Sequence, residues 1–219
     1  MKKLLLSLMI VGTAISVSAQ DNLVKFGIKA GVTLPKIAVG DGEALDLKFN
    51  TSFYIGGTVD FPVGESFSVQ SGLTFLGKGV KATESTRHIT LSSDLKFTDR
   101  LWYLEVPVNA LFKIPAGNGN IFLGGGPYFG YAISGKSKVE GVEFSEEKTY
   151  TVAISEDAKF GKDGDFKRGD FGVNFLAGYQ LSSGLNIHAG YGLGLTNIAQ
   201  DSNQSGKNRV LSVGLGFSF

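Results

Sequence analysis

The chain has 219 residues, a formal net charge of +1, 31 glycines and no cysteine. Near-neutral charge removes the electrostatic case for nucleic acid as a partner, and the missing cysteine removes a disulfide framework and any lipid-bearing thiol. Glycine at about 14% is roughly twice the usual share, without a collagen-like period, so an average globular core is not what this composition builds.

The chain opens MKKLLLSLMIVGTAISVSAQ, with Lys2 and Lys3, an apolar run from Leu4 to Val17, and small residues up to Ala19. This is the pattern of a secretory signal peptide over residues 1–19, followed by a second unit over residues 20–219. An anchoring helix fits worse, because the run is shorter than ~20 apolar residues and holds Gly12, Thr13 and Ser16.

Beyond the signal no 3.6-residue period is sustained, and strict alternation recurs instead. In LVKFGIKAGVTL, residues 23–34, one face carries Val24, Phe26, Ile28, Ala30, Val32 and Leu34, and the other Lys25, Gly27, Lys29, Gly31 and Thr33. Seven further segments alternate alike, at about 49–63, 66–79, 101–114, 120–134, 169–181, 184–197 and 208–219. Their apolar faces, such as Trp102, Leu104, Val106, Val108 and Phe112, carry no charge. The opposite faces hold polar residues such as Asp60, Thr74, Asn109, Asn174 and His188, interspersed with glycine. A soluble ligand-binding barrel would turn its apolar set inward under a charged exterior. Charges that share a face with glycines suit a narrow polar lumen, and bulky uncharged faces suit lipid.

The connections alternate too. Short ones lie near residues 63–66, 115–119 and 182–184, and long polar ones are expected over 35–48, 80–100, 135–168 and 198–207. Short periplasmic turns and long external loops are the outer-membrane pattern. Aromatic residues fall into two groups: Phe26, Phe61, Phe67, Phe112, Tyr179 and Phe219 toward the short turns, and Phe49, Phe53, Phe75, Trp102, Tyr131, Phe171 and Tyr191 toward the loops. Partners eight to ten residues apart span roughly 20–25 Å in a tilted strand, the height of an outer-membrane apolar band. The expected fold is an all-β, eight-stranded antiparallel up-and-down transmembrane barrel.

Several motifs compete with this reading. GYAISGKS, residues 130–137, fits the phosphate-loop pattern at every fixed position, but KVEGVEFSEEKTYTV follows it, with Gly141 and β-branched residues where a helix is needed. Arg168, Gly169 and Asp170 form an adhesion-like tripeptide whose Asp170 is expected to face the lumen. Asp163 and Asp165 lack the further oxygen ligands of a calcium loop. Pro107 should mark a bulge or a missing ladder bond facing the lumen, and Pro127 raises the same issue on the outward face.

The inward ionisable residues are Lys25, Lys29, Lys78 and Lys113 against Asp60, Glu105 and Asp170, with His188 besides. Near-balance points to a paired charge network that plugs the lumen rather than a filter of one sign, a narrow solute path being the alternative. An enzyme would need a nucleophile and base, for which Ser52, Ser68 or Ser212 beside His188 are the candidates, His88 lying in a long loop. No motif positions an acid there, so the chain is read as no enzyme, without a catalytic, metal or cofactor site.

The stretches YLEVPVNALFKI, GGGPYFGYAI, DFGVNFLAGYQL, GYGLGLTNI and the closing LSVGLGFSF resemble the small outer-membrane β-barrel domain family often labelled porin-family or PorT-like. The resemblance covers most of the chain after the signal. It implies an outer-membrane location and a terminal aromatic, Phe219, similar to the signal read by the barrel-insertion machinery. Most members have no assigned activity and some take part in protein secretion. The expected role is structural, binding or minor pore; alternatives are a secretion-associated component or a lipid-modifying enzyme. Expected partners are outer-membrane lipid, the insertion machinery and an extracellular ligand or protein at the long loops, with the barrel a monomer.

Overall fold

The computed structural model describes residues 24–39, 46–87, 91–145, 149–162, 164–200 and 205–219. The expected signal peptide, His88 and Asp163 lie outside them. The alternating segments form strands β1 (Lys25–Val39), β2 (Asp46–Lys48), β3 (Ser52–Pro62), β4 (Phe67–Arg87), β5 (Leu91–Ala116), β6 (Gly119–Ser145), β7 (Thr149–Asp157), β8 (Gly169–Leu181), β9 (Leu185–Gly194) and β10 (Gly206–Ser218). Eight of them pair antiparallel in the order β1-β3-β4-β5-β6-β8-β9-β10, and β10 returns to β1 to close the ring. The short β2 and β7 add to β4 and β6 above the ring.

Exposure decides which face is which. Ile28, Ile55 and Leu215 are 57–58% exposed, whereas Thr74, Asn109 and Asp170 on the alternate positions are buried. The bulky faces therefore point out and the polar faces in, as a lipid-immersed barrel requires. At the loop end Trp102 stacks on Phe75 at a centroid distance of 4.9 Å, and Phe53 packs on Trp102 at 4.9 Å.

Two expectations are corrected. Much of 80–100 and 135–168 is not loop: β4, β5 and β6 run on past the girdle as a sheet that β7 extends. The many charges there read as loop, but most of them, such as Lys81, Lys96, Arg100, Lys136 and Lys138, occupy one face while Val80, Ala82, Leu95, Phe97, Val139 and Ile154 alternate on the other, with Asp99 and Glu156 among them. The inner wall is also not merely polar or glycine. Tyr54, Leu76, Leu101, Tyr103, Leu111, Phe122 and Tyr128 are buried inside it, because an eight-stranded interior is a volume that side chains must fill. The segments at the end of β9 and the start of β10 are shorter or shifted relative to the alternation, ending at Gly194 and starting at Gly206.

Pro107 is buried on the lumen side, and the ladders skip around it, from Pro107↔Tyr128 to Ala110↔Gly125 on β6 and from Ser71↔Val108 to Thr74↔Glu105 on β4. Ser71 Oγ donates to the Pro107 carbonyl at 2.8 Å. The register shift itself lies at Trp102/Tyr103, where Ile133 and Ser134 of β6 both stay exposed. The phosphate-loop match at 130–137 is thus a bulged stretch inside one continuous strand, with no helix after it.

Candidate functional site

The lumen is built where inward positions of non-neighbouring strands converge. Lys78 of β4 reaches across to Glu105 Oε2 of β5 and Asp170 Oδ2 of β8, each 2.8 Å from its Nζ. Lys78 and Asp170 are fully buried, so this is a desolvated ion triad and not a surface pair. The rings of Tyr103 and Tyr128 flank the ammonium, with centroids 5.0 and 4.4 Å away. Around the carboxylates, Asn208 Nδ2 donates to Asp170 Oδ2 at 2.9 Å, Tyr128 OH donates to the same oxygen at 3.2 Å, and Asn174 Nδ2 donates to Glu105 Oε1 at 3.3 Å.

An apolar layer lies beyond this triad toward the loop end. Ile37, Leu101, Tyr103, Ala132 and Ile198 pack together with Phe160 and Phe166 against them. The segment carrying those two rings is held by backbone bonds: Ala158 N–H to Gly135 O at 3.0 Å, Lys167 N–H to Ile198 O at 2.8 Å and Ala132 N–H to Arg168 O at 2.8 Å. Arg168 donates from Nη1 to the Ala132 carbonyl at 3.0 Å and lies over the Phe160 ring. The adhesion-like tripeptide is therefore taken up by the closure, Arg168 in the cap and Asp170 in the triad.

Toward the turn end the lumen holds a cavity of about 120 Å³, lined by Lys29, Thr58, Gln70, Asn109, Asn174 and Ser212 among others. In its wall Lys113 Nζ pairs with Asp60 Oδ2 at 2.7 Å. His188 Nε2 lies 2.6 Å from Tyr54 OH, and its Nδ1 lies 2.8 Å from Asn186 Oδ1. An amide oxygen only accepts, so Nδ1 carries the proton and Nε2 accepts from the tyrosine. Both ring nitrogens are thereby occupied.

Of the eight ionisable residues expected in the lumen, the structure joins Lys78, Glu105 and Asp170 in one group and Lys113 with Asp60 in another. His188 is tied to Tyr54 and Asn186 and touches neither group. Lys29 is half-buried in the cavity wall, with no hydrogen bond or ion pair among the described residues. Lys25 stands opposite Asp60 in the β1–β3 ladder but is exposed at the rim, and Asp60 pairs with Lys113 instead. None of Ser52, Ser68 and Ser212 bonds to His188: Ser212 Oγ donates to the Gly190 carbonyl, and Ser52 Oγ and Ser68 Oγ are buried without a partner among the described residues. Phe219 is exposed, and its N–H donates to the Phe26 carbonyl at 2.7 Å. Among the described residues no three His, Asp or Glu side chains cluster as metal ligands.

Sequence reasoning missed Tyr54, Tyr103, Tyr128 and Asn208. Each sits at an inward parity between outward residues, so the signal was present in the alternation; aromatic character assigned the tyrosines no inward role.

A closed antiparallel ring with an apolar exterior and a filled polar interior is the transmembrane barrel of an outer membrane. The chain belongs to the outer membrane protein beta-barrel domain family, whose model matches residues 18–200. No curated protein matches it. Among solved structures it is similar to Ail, the attachment invasion locus protein of Yersinia pestis, at 16% identity over 91% of this chain and 100% of that one, with a TM-score of 0.41. It is also similar to Neisserial surface protein A, at 11% identity over 89% and 97% of the two chains and a TM-score of 0.41. A third is OprG from Pseudomonas aeruginosa, at 10% identity over 90% and 97%, with a TM-score of 0.38.

Proposed function

We propose that this is a non-conducting, non-enzymatic barrel that anchors the sheet built by β4, β5, β6 and β7 outside the outer membrane as a binding surface for an extracellular ligand or protein. The observation that carries the reading is the closure of the lumen: the Lys78–Glu105–Asp170 triad and the apolar layer above it fill the loop end, while the strands continue outward. Ten residues of β4 follow Gly77, the girdle-level partner of Trp102, and rise roughly 25 Å at a ~40° tilt. The first test is planar-bilayer recording on the reconstituted wild-type barrel. A silent bilayer is expected, and reproducible single-channel steps would refute the closed reading.

The lipid-modifying alternative rests on His188. Its two nitrogens bond to a phenol and an amide, and neither neighbour is a nucleophile in a hydrolytic arrangement. His188→Ala in cells should leave the envelope lipid profile unchanged; a changed profile with normal insertion would restore the enzyme. Export by cleavage after Ala19, a monomeric state, and capture of Phe219 by the insertion machinery complete the proposal. Mass spectrometry of the protein extracted from the envelope should give a chain that begins at Gln20.

A further inference from the structure

The outer wall turns cationic directly beyond the aromatic girdle. Arg100 lies two residues past Trp102 on β5, and Lys136 stands opposite it on β6. Thr98 is flanked by Lys138 on one side and Lys81 of β4 on the other, and Lys96 stands opposite Glu140. Around Arg100 the cations Lys81, Lys96, Lys136 and Lys138 thus stand on one face together with the acids Glu140 and Asp157. Glu140 is already engaged, 2.5 Å from Lys138 and 3.8 Å from Lys96. Arg100 and Lys136 are exposed and have no hydrogen bond or ion pair among the described residues.

The bulge is what makes this face. Gly130 and Ala132 point into the lumen, and unbroken alternation would send Lys136 and Lys138 after them. With Ile133 and Ser134 both outside, the parity of β6 inverts and the two lysines emerge on the wall. Between them and Arg100 runs a cleft of about 460 Å³ whose lining includes Thr98, Trp102, Ser134 and Ser155, with Asp157, opposite Lys136, as its one carboxylate against the three cations Arg100, Lys136 and Lys138.

We propose that this cleft binds the phosphate of an outer-leaflet lipid headgroup, with Arg100 and Lys136 as its charged ligands and Ser134 and Ser155 as hydroxyl donors. Guanidinium and ammonium groups suit phosphate, and cation clusters beside the apolar band are attracted to anionic lipid. Lipid is favoured over a soluble polyanion because the cleft opens on the barrel's side wall and includes Trp102, itself part of the girdle stack with Phe75 and Phe53.

The test is native mass spectrometry of the barrel released from phosphatidylcholine nanodiscs doped with diphosphorylated lipid A. Wild type should retain one lipid A. Arg100→Gln/Lys136→Gln should retain it about tenfold less well or worse, as should wild type given dephosphorylated lipid A. Lys159→Gln/Lys162→Gln, in the segment between β7 and β8, should bind as wild type. Equal retention by the Arg100/Lys136 pair overturns the proposal. So does equal competition by a soluble sulfated oligosaccharide, which would assign the cleft to a free polyanion. If the double variant lacks the heat-modifiable band of a folded barrel, wild-type retention is titrated with salt, and no weakening up to about 0.5 M overturns the site.

Discussion

Lys78 Nζ and Asp170 Oδ2 meet at 2.8 Å across the lumen, 92 positions apart in sequence and on strands that share no ladder. With Glu105 on the same ammonium, one lysine ties three strands together across the lumen, beside the Lys113–Asp60 and Tyr54–His188 contacts that also join strands sharing no ladder. Removing it leaves two carboxylates buried side by side, and breaking such a group from one side costs about 3–5 kcal/mol. Lys78→Met should therefore lower the urea midpoint of the folded barrel markedly. Lys78→Met/Glu105→Gln/Asp170→Asn should recover much of the loss, because no uncompensated charge remains. An unchanged midpoint in the single variant would show that the triad is not desolvated as its burial implies.

The same residues block the axis. Tyr103 is fully buried beside Lys78 and also belongs to the apolar layer, so shortening both opens the lumen at the triad and thins the layer above it without touching the ladder. Lys78→Ala/Tyr103→Ala is expected to give small conductance steps in a planar bilayer where the wild type is silent. Silence from a folded double variant would place the effective seal higher, in the layer of Leu101, Ile198 and Phe166.

The alternation of two made the barrel legible because every outward position must be apolar along the whole band, a constraint repeated eight times. The triad was legible as a set of inward charges, since Lys78, Glu105 and Asp170 sit on faces with no other reason to carry charge. Their pairing was not, because alternation gives a residue's face and not its height along the axis. Lys25 shows the difference: its parity is inward, but its height is the rim. The sheet beyond the membrane escaped for another reason. Above the band both faces are free of lipid, so Lys96, Lys138 and Glu140 replace apolar residues and the pattern used to recognise strands weakens. Lys136 and Lys138 escaped because a single bulge residue inverts every face that follows it.

Asp99 lies on the inner face of the extended sheet, above the girdle. Burial pushes its carboxyl above the ordinary value of 3.8, opposed by a hydrogen bond from Ser137 and reinforced by Asp165 nearby. A folded-state value above the unfolded one means that the stability contribution is full below the unfolded pKa and is lost as pH rises through the folded pKa. Asp99→Asn, which mimics the protonated form, should match wild type near pH 3 and exceed it in urea midpoint at pH 7. A difference that is the same at both pH values would remove the burial explanation.

Gly214 explains how Tyr54 lies across the wall to reach His188. A Cβ at Gly214 would fall 2.1 Å from Tyr54 Oη and 2.3 Å from the Ala30 carbonyl oxygen. The tyrosine can swing away, but the Ala30 carbonyl belongs to the β1–β10 seam that closes the barrel, where Gly31 faces Gly214. At Gly57, on the lipid side, the nearest atom to an added Cβ is 3.9 Å away. Gly57→Ala should therefore insert normally and be neutral or slightly stabilising, since alanine narrows the unfolded ensemble. Gly214→Ala should weaken the seam, visible as a lower temperature for loss of the compact gel band. Gly214→Ala/Tyr54→Ala should not restore it, because the backbone contact persists. Full rescue by the second substitution would mean that the ring alone, and not the seam, requires glycine at this position.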